Sequence, residues 1–159
     1  MIQKTIIFLL LASSLFAQTY NFTELRYSDA INRSIQVEGK ISFNIDGLNI
    51  SYPQSAREID YKNDTLIYYE NDKEVSLPEM QASKMMQYFD ILRLLHKGDE
   101  SELEGMFEIE NKSNIKILKP LGAIKNYINL IELRKYDNEL KYIKLFLQNN
   151  DTISININD

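Results

Sequence analysis

Along most of the chain the apolar positions recur at every second residue. Ile35, Val37, Ile41 and Phe43 alternate with Gln36, Glu38, Lys40 and Ser42. That period belongs to a strand with one face buried. Asp46-Gly47 is a hairpin signal, followed by a second run from Leu48 to Tyr52 that Pro53 ends. Residues 56–61 and 65–70 read as two further strands around a turn at Lys62-Asn63-Asp64. Residues 70–73 then turn the chain into residues 74–77. The alternation resumes at Phe107 and Ile109, turns at residues 111–114, and continues through Ile115–Leu118 to Pro120. Tyr127–Tyr136 is a longer strand, turned by Asp137-Asn138 into Ile143, Leu145 and Leu147. After a polar turn at residues 148–151, Ile153, Ile155 and Ile157 alternate with Ser154, Asn156 and Asn158. The pattern predicts about eight to ten antiparallel strands joined by short turns.

One segment changes period. After Pro78, the residues Met85, Tyr88, Phe89, Leu92 and Leu95 fall at i, i+3, i+4, i+7 and i+10, which predicts a helix closed by Gly98. Met86, Ile91 and Leu94 widen its apolar stripe, and residues 99–104 predict one more helical turn. Residues 18–33 are polar with scattered Phe22, Leu25, Ala30 and Ile31, and read as a short amphipathic helix beginning after Asn21 or Thr23. There is no internal repeat and no linker. The reading is therefore mainly β with helices, in a single domain over residues 18–159, curling into a barrel or a strongly bent sheet.

The first 17 residues stand apart. Lys4 is followed by a mostly apolar run from Thr5 to Ala17. This is the layout of a cleavable export signal, and it falls short of the roughly 20 apolar residues that a membrane-spanning helix requires. The expected location is the periplasm. The chain has no cysteine, so an exported domain of this kind is held together by packing alone. Its formal net charge is −5, which argues against nucleic acid as a partner. Triplets such as Asn21-Phe22-Thr23 read as consequences of an Asn-rich composition.

Candidate chemistry is sparse. His96, at the helix end, is the one histidine, and no metal-binding, nucleophile-elbow or phosphate-loop motif occurs. The residues offer no metal site, cofactor or catalytic cluster. His96 reads as a helix-end residue meeting the helix dipole. The pairs Glu102/Glu104 and Glu108/Glu110 read as solvated faces. The helix says more: Met85, Met86 and Phe89 form a wide, adaptable apolar surface. From residue type alone it reads first as a core helix on a sheet; the sharper reading is the wall of a cavity for an acyl chain.

The order of these motifs resembles the periplasmic outer-membrane lipoprotein carriers, the LolA-like family. Residues 37–43, Val-Glu-Gly-Lys-Ile-Ser-Phe, are similar to the family's G-x-[LI]-x-[FW] opening strand. Tyr52-Pro53 followed by Ala56-Arg57 is similar to its Pro…Phe-Arg segment, with Ala56 where the family has an aromatic. Residues 66–75 look like its central hairpin. The run Leu94-Leu95, Gly98-Asp99, Leu103 and Phe107 is similar to the L-L-x-G-D-x-x-x-L-x-x-x-F pattern of a divergent branch. Ile117-Leu118 before Pro120, the run 128–133 and the polar turn 149–152 continue the likeness across nearly all of residues 18–159.

The resemblance implies a half-open antiparallel β-barrel with a helical lid over an apolar cavity. It implies a monomeric, non-enzymatic chaperone that shields the acyl chains of lipoproteins between an inner-membrane donor and an outer-membrane acceptor. Arg57 would hold the lid closed through hydrogen bonds to helix backbone. Ile41, Phe43, Met85, Met86, Phe89, Leu92 and Leu95 are the acyl-binding candidates. Three alternatives remain: a carrier for another amphiphile, such as a glycolipid or polyene-type intermediate; an interaction protein whose barrel is filled by its own side chains; and, against the lack of a catalytic cluster, a small hydrolase or isomerase.

Overall fold

The computed structural model describes residues 18–98 and 100–158. The segment read as an export signal lies outside them. The fold is one antiparallel sheet of eleven strands with its helices inserted between two of them. In chain order the first strands are Gln18–Ser28 (β1), Arg33–Phe43 (β2), Gly47–Tyr52 (β3), Arg57–Lys62 (β4), Thr65–Glu70 (β5) and Lys73–Glu74 (β6). Helices Glu79–Lys97 (α1) and Glu100–Met106 (α2) follow. Phe107–Lys112 (β7), Ile115–Pro120 (β8), Ile128–Tyr136 (β9), Glu139–Leu147 (β10) and Thr152–Asn158 (β11) complete the sheet. The order across it is β6-β5-β4-β3-β2-β1-β11-β10-β9-β8-β7.

Asparagine and aspartate make the tight turns. Register leaves two residues between β4 and β5, between β5 and β6, and between β9 and β10. Those residues are Asn63-Asp64, Asn71-Asp72 and Asp137-Asn138, and all six have φ between 47° and 68°. A two-residue hairpin with both central residues at positive φ follows the twist of its strands, and Asn and Asp tolerate that region best after glycine. Gly47 has a different role. A Cβ there would lie 2.0 Å from the carbonyl oxygen of Tyr61, so glycine is required by the close approach of β4.

The N-terminal segment is a strand, not the helix its composition suggests. β1 pairs along its length with β2, and from Asn21 to Tyr27 with β11. Its inward positions are Tyr20, Phe22, Glu24 and Arg26. Two charged residues at inward positions hide the alternation from a sequence reading, and pairing on both sides decides the conformation.

The sheet's apolar face forms the core. Across it lie Leu48, Ile50, Ile59, Tyr61, Ile131, Leu133, Ile143, Leu145 and Ile155, all buried. α1 packs against both β3 and β10. These strands are four places apart in the sheet, about 19 Å along a flat one at ~4.8 Å per strand. One helix reaches both because the sheet curls around it. The sheet stays open: β6 and β7 are its edges, joined to each other through α1 and α2. Glu108, Glu110 and Lys112 along β7 discourage pairing with a further strand.

Helix α1 occupies the predicted span. Gly98 caps it at φ 65°, donating its N–H to the Leu94 carbonyl at 3.0 Å. Its buried residues, Phe89, Ile91, Leu92 and Leu95, all lie in its second half. Tyr61 on β4 donates a 2.7 Å hydrogen bond to Asp90 Oδ1 and ties that half to the sheet. The first turn is exposed, with Met80 72% accessible, and Met85 and Met86 beyond it are partly buried against the core.

Gly47→Ala is expected to lower stability in denaturant unfolding by about 1–3 kcal/mol, the range for forcing atoms into packed space. Gly105→Ala in α2, where a Cβ meets nothing within 4 Å, is expected to raise it by about 0.5–1 kcal/mol.

Candidate functional site

α1, along most of its length, and the curved sheet border a cleft of about 1310 Å³. This exceeds the ~300–1,000 Å³ of most small-molecule pockets. The helix contributes Met80, Met85, Tyr88, Phe89, Ile91 and Leu94 among its lining. The wall on β9, β10 and β11 is apolar, with Ile128, Leu145, Leu147 and Ile153. The short 3-10 turn at residues 122–126 adds Ala123, Ile124 and Asn126, and Tyr127 follows. The wall on β1, β3, β4 and β5 carries polar groups: Arg26, Tyr52, Arg57 and Tyr68 beside Ile59.

Those polar groups are organised by a buried carboxylate. Glu24 is 1% exposed and stands between Val37 on β2 and Ile155 on β11. Both of its oxygens are engaged. Arg26 Nε donates to Oε1, and the Tyr52 hydroxyl donates to Oε2 at 3.2 Å. A buried charge persists only when paired and hydrogen-bonded in this way. The Tyr52 ring packs edge-on against Phe22 at 5.8 Å, and the Arg57 guanidinium lies 5.3 Å from its centroid. Burial lowers the pKa of Arg26, but the hydrogen bond and charge of Glu24 outweigh it and hold the guanidinium above its ordinary value. Burial, then the Glu24 charge, pushes Tyr52 up. The same two causes raise Tyr88 on α1, whose buried hydroxyl has no hydrogen-bond partner among the described residues.

Of the residues singled out in the sequence, Arg57, Met85 and Phe89 line the cleft. Ile41, Phe43, Leu92 and Leu95 are buried in the packed core, with Met86 against it, and none of these five borders the cleft. Arg57 Nε donates to Ser55 Oγ at 2.7 Å, so its described bond goes to its own corner and not to helix backbone. Ala56 turns that corner at φ 47°, a conformation in which a bulkier aromatic is strained. Glu24, Arg26, Tyr52 and Tyr88 escape a reading of the sequence, since nothing local marks a strand whose inward face carries an ion pair. The i, i+2 spacing of Glu24 and Arg26 is the one signal available, and it has meaning only once β1 is known to be a strand.

His96 lies apart from the cleft. Its ring stacks on Phe43 at 3.7 Å and meets Tyr20 edge-on at 5.9 Å, and its Nδ1 is buried without a hydrogen-bond partner among the described residues. Burial, then the charge of Lys135, lowers its pKa from 6.5, against a smaller opposing effect of Glu139. Among the described residues no three His, Cys, Asp or Glu side chains converge to hold a metal ion, and no helix is long and apolar enough to cross a membrane.

Two outcomes follow from these contacts. Arg26→Met strands the Glu24 carboxylate and is expected to cost about 1–3 kcal/mol in denaturant unfolding. Adding Glu24→Leu to it is expected to restore most of the loss. For His96, the unfolded chain takes up a proton at a higher pH than the fold, so stability present above pH 6.5 is lost as pH falls through the lowered folded value. The Tm advantage of the native chain over His96→Gln is expected to narrow between pH 7.5 and pH 5; an advantage independent of pH would show that His96 binds its proton equally in the folded and unfolded chain.

No family model matches the chain. Over 88 residues it is similar, at 33% identity, to Erythroid differentiation-related factor 1 of Homo sapiens and of Pongo abelii. That stretch is 53% of this chain and 7% of the length of those proteins. The likeness sets a part of this chain beside a small fragment of much longer proteins, and it assigns no family.

Proposed function

We propose that the protein is a non-enzymatic carrier that shields acyl chains from water, working in the periplasm in the manner of the LolA-like proteins it resembles. The observation that carries this reading is the cleft of about 1310 Å³ between α1 and the sheet, with its apolar wall on β9, β10 and β11. Each methylene moved from water into such a space contributes about 0.8 kcal/mol, so a chain of roughly 14 contributes about 11 kcal/mol before costs. α1 borders the cleft along most of its length, from Met80 to Leu94, while Leu92, Leu95 and the Tyr61–Asp90 bond hold it to the sheet, and a helix lying along a cavity in this way can serve as its cover. In this reading the cargo is an acylated protein passing from an inner-membrane donor to an outer-membrane acceptor.

A second reading, a carrier for a free amphiphile, is favoured by the arginines and tyrosines on the opposite wall, which an acyl chain alone has no use for.

A fluorescent fatty-acyl probe is expected to bind the purified protein saturably, at about one per chain, and to be displaced by an acylated peptide. Met85→Glu sets a charge on the cleft's helical wall and is expected to weaken probe binding about tenfold or more, equivalent to at least about 1.4 kcal/mol. Absence of binding to the native protein would overturn the carrier reading and leave a sheet filled by its own side chains.

A further inference from the structure

The polar wall of the cleft has more donors than its own structure uses. Arg26 and Arg57 both line it, and each commits only its Nε among the described hydrogen bonds, to Glu24 and to Ser55. The two terminal nitrogens of each guanidinium remain, the end of the fork that grips an oxyanion with two parallel bonds. The Arg26 side chain is 53% exposed although its partner Glu24 is buried, so burial of the pair has left that fork accessible. The Tyr88 hydroxyl, on the facing helix, is buried without a partner among the described residues, and such a group carries a penalty until something bonds to it.

The charges of the cleft have one sign in excess. Its lining holds the cations Arg26, Arg57 and Lys84 and a single carboxylate, Asp90. Glu24 behind the wall offsets Arg26, and Asp90 lies 3.9 Å from Arg93 and accepts from Tyr61. Arg57 faces Glu70 across the β4–β5 register without a described ion pair to it, and its guanidinium lies over the Tyr52 ring. A positive site has thus been kept in a chain whose formal charge is −5. The apolar wall begins directly beside it: Arg26 is the register partner of Ile153, and Ile153 of Leu145.

We propose that this wall binds the oxyanion head of a single-chain amphiphile, held by the guanidinium ends of Arg57 and Arg26 and by the Tyr88 hydroxyl, with the chain running along Ile153, Leu145 and Ile128. The proposal rests on the acyl-carrier reading and narrows it. The ester and amide linkages of an acylated protein are neutral and would gain little from two arginines. A fatty-acid carboxylate or the phosphodiester of a lysophospholipid satisfies them.

The test is competition against the fluorescent acyl probe, using four ligands that share a chain length and are kept below their micellar concentrations. They are palmitate, palmitoyl lysophosphatidylglycerol, 1-hexadecanol and hexadecyltrimethylammonium. At least one of the two anions is expected to bind about tenfold or more tighter than hexadecanol, and the ammonium more weakly than hexadecanol. The tighter anion identifies whether the head is a carboxylate or a phosphodiester. In Arg57→Gln and in Tyr88→Phe, which removes a single oxygen, the anion-to-alcohol ratio is expected to fall toward one while the far-ultraviolet circular dichroism is unchanged. Equal affinity for anions and alcohol in the native protein, or a ratio untouched by both substitutions, would overturn the head-group site and leave the acyl carrier standing. Binding of none of the four, nor of the probe, would remove both.

Discussion

An open antiparallel sheet with one apolar face cannot stand in water until something covers that face. Among the described residues the elements outside the sheet are α1, α2 and short turns, and α1 is narrower than the face it must cover. The sheet answers by curling, so that β3 and β10 reach the same helix. The remaining mismatch is left along one side of the helix. Leu92 and Leu95 fill the space beneath α1, Phe89 and Ile91 are buried at the margin, and the cleft runs beside the helix from Met80 to Leu94. Core and cavity are therefore two outcomes of one packing problem along a single helix.

The elements that depend on local chemistry were legible in the sequence. Asn63-Asp64, Asn71-Asp72 and Asp137-Asn138 sit at turns because few other residues accept positive φ there. The stripe from Met85 to Leu95 and the closing Gly98 define α1 for equally local reasons. What could not be read was long-range. β1 is a strand because β2 and β11 flank it, although Glu24 and Arg26 occupy inward positions that a simple strand fills with apolar residues. The same two residues are central to the polar wall of the cleft, so the failure to read the strand and the failure to read the site have one cause. The division of the apolar candidates was likewise invisible: whether Ile41 lies under the helix or Ile153 beside the cleft depends on how far the sheet curls.

Burying Glu24 within a row of apolar side chains is costly, and it also restricts how β1 can pair. A shift of one residue would turn Glu24 to the outer face and bring Thr23 or Leu25 inward, breaking its contacts with Arg26 and Tyr52 together. The ion pair thus selects one alignment for the strand that joins the two halves of the sheet, a function distinct from any net contribution to stability.

That junction has a consequence for assembly. Strands β2 to β6 and β7 to β10 are each connected by short turns and can form from neighbouring residues. β1 and β11 are partners only across nearly the whole described chain, as in the pair Asn21 and Asn158. Loop-closure entropy makes such a seam slow to form, and until residues 152–158 have emerged the two halves expose unpaired edges in the middle of the eventual sheet. A chain of this topology depends on being kept apart from its neighbours until β11 is in place, because β11 seals its most vulnerable edges.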